Sequence, residues 1–457
     1  MLDSQQLSVA EFFWVAVLVA LMGRELLQAR IHPRRIEIFR PTIIVGLVLA
    51  YYALVGPLRA VALDAVIERG VDRRADLIWG WAGAAVFYAS TLVGFHLLGT
   101  PRLDRRQIGP SDPERLHRLG TTLCQLGLLL FFLVSGLRVF AYLNPFVAGE
   151  LLRGTSGASV FGGEGISNYF MLSLNFLIPG VCLIFSSWIY SRRHSAQLLL
   201  WLLASAGIFT SLGFRFRLVL LVVPMLMLWY LVRQKRPNVI VVSLVIAGLL
   251  FMAGYVGLTR SYGRGLDTST LEERTTGEIF TEGIDSEGTQ VFFTTSGMMA
   301  ITPKLNPYVG LQPFISVLQL PIPSDWWPGK DTFGYIERSI QNLFNSPTLG
   351  EGAALLCYGE WFLMSGWDSL ILMSVLLGWL LRCLWNWMLI RQTEPLALTV
   401  YALSVSFVYL VVSRGYMAQV VAGAMFTLGP LFWIYRRWSR PVLSLRATPP
   451  APSLPRG

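Results

Sequence analysis

The chain has 457 residues, a mean hydropathy of +0.55, and 54% hydrophobic against 14% charged residues. That balance excludes a disordered chain, which carries more charge and less apolar surface, and a disulfide-stapled mini-protein, which is far shorter. The net charge is +10 and only three of the 37 basic residues are Lys; because the apolar residues come in blocks of the about 20 residues that cross a bilayer, this charge points to basic inner loops and not to nucleic acid.

In chain order, the apolar runs predict helices at Ala10 to Leu27, Thr42 to Val61, Leu77 to Leu98 and Leu119 to Phe140. Further runs follow at Tyr169 to Tyr190, Leu198 to Leu212, Leu218 to Val232 and Val239 to Leu258. A polar stretch of about 90 residues comes next, far beyond a connector and of the length that carries function. The last three helices are Trp367 to Ile390, Leu396 to Ser413 and Val420 to Tyr435. The N-terminus lacks a basic n-region and a small-residue cleavage site, so its first run reads as a retained helix. The expected fold is therefore an all-α polytopic integral membrane protein with about 11 transmembrane helices and one long outer, periplasmic loop between the eighth and ninth. Residues 1–258 hold the first eight helices and 259–350 the long loop. Residues 351–440 hold a re-entrant segment and the last three helices, and the Pro-rich 441–457 reads as a disordered cytoplasmic tail.

Arg and Lys orient this scheme. Arg30, Arg34, Arg35 and Arg40 form one cluster; Arg102, Arg105, Arg106, Arg115 and Arg118 a second; Arg192 and Arg193 a third. Arg233, Lys235 and Arg236, then Arg391, then Arg436, Arg437 and Arg440 complete the set, and eleven helices place all of them on one side. That side is the cytoplasm by the positive-inside rule, with the N-terminus outside. The loop Leu63 to Asp76 strains the rule, because it carries Arg69, Arg73 and Arg74 on the outer side. The four Cys have no CxxC spacing and suggest neither a zinc site nor a disulfide framework.

The outer side carries a set of arginines that run against the same bias: Arg215 and Arg217 in SLGFRFRLVLL, Arg260 and Arg264 in LTRSYGRGLD, and Arg414 in VVSRGYMAQVV. A guanidinium is a planar fork that grips phosphate oxygens two at a time and keeps its charge, so arginines in three separate turns at the membrane boundary favour an anion site such as a lipid-linked pyrophosphate. The bland alternative is that each snorkels to headgroups or pairs with a loop carboxylate. His32, His96, His117 and His194 all fall on the inner side, so an outer site has neither a His base nor a His metal ligand, and no cofactor is called for. Any base there is a carboxylate, with Glu351 and Glu360 in LGEGAALLCYGEWFLMSGWD as candidates beside Asp368. Each could instead cap a helix or pair with an Arg. In LPIPSDWWPGKDTFGYIE, Trp326, Trp327, Phe333 and Tyr335 could stack on sugar faces and Lys330 could meet a phosphate; an interfacial aromatic belt would look the same.

These features in this order resemble the bacterial oligosaccharide repeat-unit polymerases, the Wzy-type O-antigen polymerase family. An Arg after a mid-chain helix is matched by Arg215 or Arg217, and the loop pattern iPR-x-lwP-x-KP is partly matched by IPSDWWPGKD. The stretch GE-x-y-x-nfG-x-xG is matched by LGEGAALLCYGEWFLMSG through Glu351 and Gly359, and the late Arg is Arg414. The likeness runs from Ser211 to Tyr435. The chain departs from the pattern at Ser324, where the family has Arg, at Asp331, where it has Pro, and at Tyr358, where it has Asn.

The resemblance implies metal-independent glycosyl transfer at the outer face of the inner membrane, for O-antigen, capsule or exopolysaccharide. The donor is a glycan on polyprenyl pyrophosphate and the acceptor one repeat unit on the same carrier; a chain-length regulator is a usual partner. Arg215, Arg217, Arg260, Arg264, Arg414 and Lys330 then hold pyrophosphate, Trp326, Trp327 and Tyr335 hold glycan, and Glu351 or Glu360 takes the acceptor proton. Two rival readings are a lipid-linked glycan ligase, whose family places a His in an outer loop, and a polysaccharide flippase or transporter, which calls for internal repeats and charges along the bundle centre. A glycosyltransferase using polyprenyl monophosphate sugars would need an acidic pair in the first outer loop. There Asp64, Glu68, Asp72 and Asp76 are interleaved with Arg69, Arg73 and Arg74.

Overall fold

In a computed structural model the described residues are 7–100, 112–146, 148, 171–259, 266, 274–285, 288–322, 326–327, 334–346 and 354–438. They form an all-α polytopic bundle, in which eight helices are long and apolar enough to cross a membrane. The bent pair Met417–Thr427 and Gly429–Arg437, with a 43° break, makes nine if it is one span. All eleven predicted segments are helical over most of their described residues. Two fall outside the count for physical reasons: α1 (Val9–Ile31) carries Glu11, Arg24 and Glu25 within one stretch, and Ser195–Ser211 is only 17 residues long. The Pro-rich tail lies outside the described residues.

The second predicted helix is built in two parts, α2 (Pro41–Leu49) and α3 (Gly56–Ala62), joined by a π turn at Ala50–Val55. Pro57 has no N–H, which frees the carbonyl of Ala53 one turn earlier. Trp81 of α4 (Leu77–Leu97) donates its indole N–H to that oxygen at 2.7 Å, so the break is satisfied inside the bundle. Next come α5 (Pro113–Ser135), the short α6 (Arg138–Tyr142), α7 (Leu177–Ser191), α8 (Ser195–Ser211), α9 (Arg215–Arg233) and α10 (Val239–Thr259). The fourth predicted helix starts early because Asp112 caps it and Pro113 opens it, and it ends at Gly136, whose φ of +57° suits glycine.

Residues 259–350 are not one extended loop. They contain α11 (Thr276–Asp285), α12 (Gly288–Ile301), α13 (Gln312–Gln319) and α14 (Gly334–Phe344). Nearly every residue of α12 is buried, and it packs on α4 among the membrane helices. The chain closes with α15 (Cys357–Ser365), α16 (Trp367–Ile390), α17 (Pro395–Ser413), α18 (Met417–Thr427) and α19 (Gly429–Trp438).

Glycine sets the closest crossings, as expected where lipid supplies no hydrophobic drive between helices. A Cβ on Gly94 of α4 would lie 2.0 Å from the Val375 carbonyl, and one on Gly378 of α16 would lie 2.0 Å from the Thr91 carbonyl, so the two backbones meet face to face. Gly120 of α5 and Gly180 of α7 make the same reciprocal contact.

The two ends of the bundle differ in charge chemistry. At one end Arg192 stacks over Trp188 and Trp229, Arg236 donates to the Arg30 carbonyl at 2.9 Å, and Phe39 lies against Tyr230. His96 meets the buried Glu25 at 2.7 Å there. Arg215 begins α9, about 27 Å from this end at 1.5 Å per residue. The hairpin of β1 (Ile67–Glu68) and β2 (Val71–Asp72) lies at the far end too, and the two arginines that follow it are paired. Arg73 bonds Glu68 at 3.2 Å and Asp76 at 3.3 Å, and Arg74 lies 4.0 Å from Glu11. Those pairs explain how a loop rich in Arg sits opposite the main basic clusters.

Candidate functional site

The site is built around α15. Its N-terminal approach is fixed by Leu356, whose N–H donates to Thr295 Oγ1 of α12 at 2.9 Å. Tyr358 donates its hydroxyl to the Gly80 carbonyl of α4 at 3.1 Å. Position 359 favours glycine, because a Cβ there would stand 2.7 Å from the Thr295 methyl and force it to shift. The turn Arg414–Gly415–Tyr416 lies on the same segment: the Gly415 N–H donates to Leu355 O at 2.6 Å, and a Cβ on Gly415 would meet Leu356 O at 2.7 Å. Two backbones in such contact bring Glu360 under the N-terminus of α18.

There the Glu360 carboxylate is buried and makes a clamp. Its two oxygens accept the Met417 N–H at 3.0 and 3.1 Å, and Oε1 also accepts the Tyr335 hydroxyl from α14. Tyr416, the N-cap of α18, offers no side-chain cap, so Glu360 supplies from another helix the acceptor oxygens that a helix N-terminus lacks. Burial pushes the Glu360 carboxyl up to about 7, while the bonds from Tyr335 and Met417 pull the other way. Burial also raises the Tyr416 phenol to about 12, opposed by the charge of Arg414. The helix-capping alternative weighed for Glu360 is thus its observed geometry.

Arg215 and Arg217 stand in the first turn of α9 and not in the loop before it, where the sequence placed them. Arg215 enters a narrow cleft lined by Tyr51, Tyr52, Leu218, Met252 and Tyr409, with the Tyr52 and Tyr409 hydroxyls 3.0 Å apart. Gly257 of α10 leaves room for it, since a Cβ there would lie 2.2 Å from Nη2. Arg217 is 4% exposed and sits in a cage of Phe209, Phe214 and Phe216, with ring centroids 5.6, 4.2 and 5.7 Å from its Cζ. Its Nε and Nη1 hydrogen-bond to none of the described residues. The rings favour the cation but satisfy no N–H.

The two parts communicate through α17. Tyr409, in the Arg215 cleft, precedes Arg414 by about 7.5 Å of helix. The structure thus joins Glu360, Tyr335 and the Arg414 turn, and places Arg215 beside the helix that carries that turn. Trp326 and Trp327 are exposed. Tyr335 is a correction: it is 3% exposed and its hydroxyl is spent on Glu360, so its ring is not offered to a sugar. Asp368 lies in the first turn of α16. Glu351, Arg260, Arg264 and Lys330 lie outside the described residues.

Sequence reasoning missed the tyrosines of the Arg215 cleft, which come from two distant helices. It also missed the cluster in which the Glu68 carboxylate accepts from Thr294 and Arg73, with Arg73 5.0 Å over the Phe344 ring. Burial raises the Glu68 carboxyl. Among the described residues no group of three His, Cys, Asp or Glu is placed to hold a metal ion. Comparison of the chain with family models, with curated proteins and with solved structures finds no match.

Proposed function

We propose that the chain is a polysaccharide polymerase of the Wzy type, a multi-pass protein of the bacterial inner membrane. Its N-terminus is periplasmic, its C-terminus is cytoplasmic, and its site is at the periplasmic end. The observation that carries this reading is Arg217: a guanidinium almost fully buried at a membrane boundary, with two nitrogens not bonded to the described protein. Burying a charge without a counter-ion is costly, and an anionic ligand is the natural completion. Arg215, two residues earlier on α9, and Arg414 on the neighbouring turn extend the positive field, and Gly359, which with Glu351 carries the family stretch, falls in the segment that holds the Arg414 turn.

In the proposed reaction a hydroxyl of the acceptor repeat unit attacks the anomeric carbon of the donor glycan. The bond from that carbon to the pyrophosphate oxygen breaks, and polyprenyl pyrophosphate leaves with the electron pair. The arginines stabilise the developing charge in a site shielded from water. Glu360 acts as a positioning residue that holds the Arg414 turn, and the acceptor proton is assigned to Glu351. Trp326 and Trp327 offer exposed rings to the glycan.

The test is the size profile of lipid-linked glycan in cells lacking the protein, restored with wild type, Arg215→Ala or Arg217→Ala. Single repeat units that accumulate at the outer face, relieved by wild type and not by either variant, are expected. Full-length polymer left on its carrier would point to a ligase, and single units held on the cytoplasmic face to a flippase; either overturns the proposal.

A further inference from the structure

Helix α13 is built inside out. Leu311, Phe314, Ile315 and Leu318 stand at i, i+3, i+4 and i+7, the stripe that a soluble protein turns toward its core. Here that stripe faces away from the protein: Leu311 is 67% exposed, Phe314 38%, Ile315 44% and Leu318 76%. The other side, with Pro313 and Ser316, is buried, and α13 packs on α18. Ser316 Oγ and Gln319 Oε1 are buried there without a hydrogen bond to the described residues. In water such a helix would hide its polar atoms and wet its apolar ones, so both faces would be wrong.

Both faces are right if the outward medium is hydrocarbon. Sequence and surroundings agree. No charged residue occurs between Lys304 and Asp325. The run ends at Trp326 and Trp327, exposed residues of the type that gathers where acyl chains meet headgroups. The apolar surface continues on the bent pair α18–α19 through Met425, Phe432 and Trp433, all exposed on segments that pass together as a membrane span. We propose that α13 is an interfacial helix whose Leu311–Leu318 stripe is immersed in the acyl chains of the leaflet at the Arg215 end. The partner of this face is lipid, and neither water nor a second protein chain.

The placement reaches the candidate site. The segment before α13 is stitched to the end of α15, with Val309 N–H donating to Leu363 O at 2.8 Å and Gly310 N–H to Met364 O at 3.1 Å. Helix α18, on which α13 lies, is the helix capped by Glu360. An immersed α13 therefore ties the height of the Glu360 clamp to the lipid surface. This inference stands whichever reaction the site performs.

The experiment uses the full chain with Cys383→Ser, in nanodiscs of phosphatidylethanolamine and phosphatidylglycerol. A nitroxide is attached in turn at Leu311→Cys, Phe314→Cys, Ile315→Cys and Leu318→Cys, and its relaxation by oxygen is compared with that by a water-soluble nickel chelate. All four positions are expected to favour oxygen by several-fold. Nickel access equal to or above oxygen access would place the stripe in water. Low access to both would place it under protein, and a second copy would then be its cover; either result overturns the proposal. A bimane on Leu311→Cys, read by quenching with brominated acyl chains, repeats the test without a nitroxide: quenching supports immersion and its absence refutes it.

Discussion

Replacing Glu360 by Gln isolates the clamp under α18. The carboxyl is raised from an ordinary 4.5 to about 7, chiefly by burial. The folded protein therefore keeps a proton that the unfolded chain releases, and its contribution is complete below pH 4.5 and is lost as pH rises through 7. That interval, at about 1.4 kcal/mol per pH unit, corresponds to ~3 kcal/mol of wild-type stability lost between pH 4.5 and above 7. Gln cannot ionise, so it removes this slope. It also sets an amide NH2 against the Met417 N–H, which now meets an oxygen at 3.1 Å, and two facing donors cost about 1–2 kcal/mol. The variant is thus expected to unfold at lower temperature than wild type at pH 5, to draw level with it near pH 6 and to unfold at higher temperature than wild type at pH 8. The assay is the apparent unfolding midpoint of the full chain in nanodiscs by intrinsic fluorescence, at one scan rate because unfolding of such proteins is commonly irreversible. Because other groups titrate in both proteins, the difference between the two profiles carries the result. Parallel profiles from pH 5 to 8, or a wild type that gains on the variant as pH rises, would refute the reasoning.

Arg217→Met keeps an unbranched apolar stem and removes the charge, so the midpoint should rise by a few degrees while polymer formation is lost; a large fall would mean that Arg217 has a structural counter-ion. Arg73→Leu leaves Glu68 buried without its cation and should cost about 3–5 kcal/mol. Adding Glu68→Gln should recover part of it, and the coupling is read from the same melts. Gly94→Ala and Gly378→Ala each drive a Cβ into a backbone carbonyl, at a cost of about 1–3 kcal/mol or more, seen as loss of the monodisperse fraction on size exclusion. Gly248→Ala, with nothing within 4 Å, should leave that fraction unchanged.

The membrane helices were legible because twenty apolar residues in a row leave the backbone little alternative. α12 was not, and its chemistry says why. GTQVFFTTSGMMAI is short and rich in hydroxyls, so it reads as loop. In the bundle Thr295 and Ser296 each donate to the carbonyl one turn earlier, at 2.7 and 2.8 Å, and Thr294 donates to Glu68, which removes their polarity from view. Hydropathy counts a hydroxyl as wet and cannot know that it bonds its own helix. The Glu360 clamp was half legible: adjacent Gly359 and Glu360 before an apolar run marked a special segment, but the partners Tyr335 and Met417 are 25 and 57 residues away. Only tertiary packing decides that Tyr335 is a buried donor and not a sugar platform.

The arginines at the Arg215 end show where charge counting stops and structure begins. By sequence, Arg73 and Arg217 are the same anomaly, a basic residue on the side that disfavours it. In the fold Arg73 is a strut: two carboxylates and a phenyl ring surround it, and its charge is cancelled where it stands. Among the described residues Arg217 is held by aromatic rings, which keep a cation in place without neutralising it. A strut needs no ligand, and its loss should be felt in stability. A cation held in place with two nitrogens unbonded among the described residues is completed when an anion arrives, and its loss should be felt in function. Opposite responses of stability to Arg73→Leu and Arg217→Met would therefore separate the scaffold of this end from its site, before any substrate is in hand.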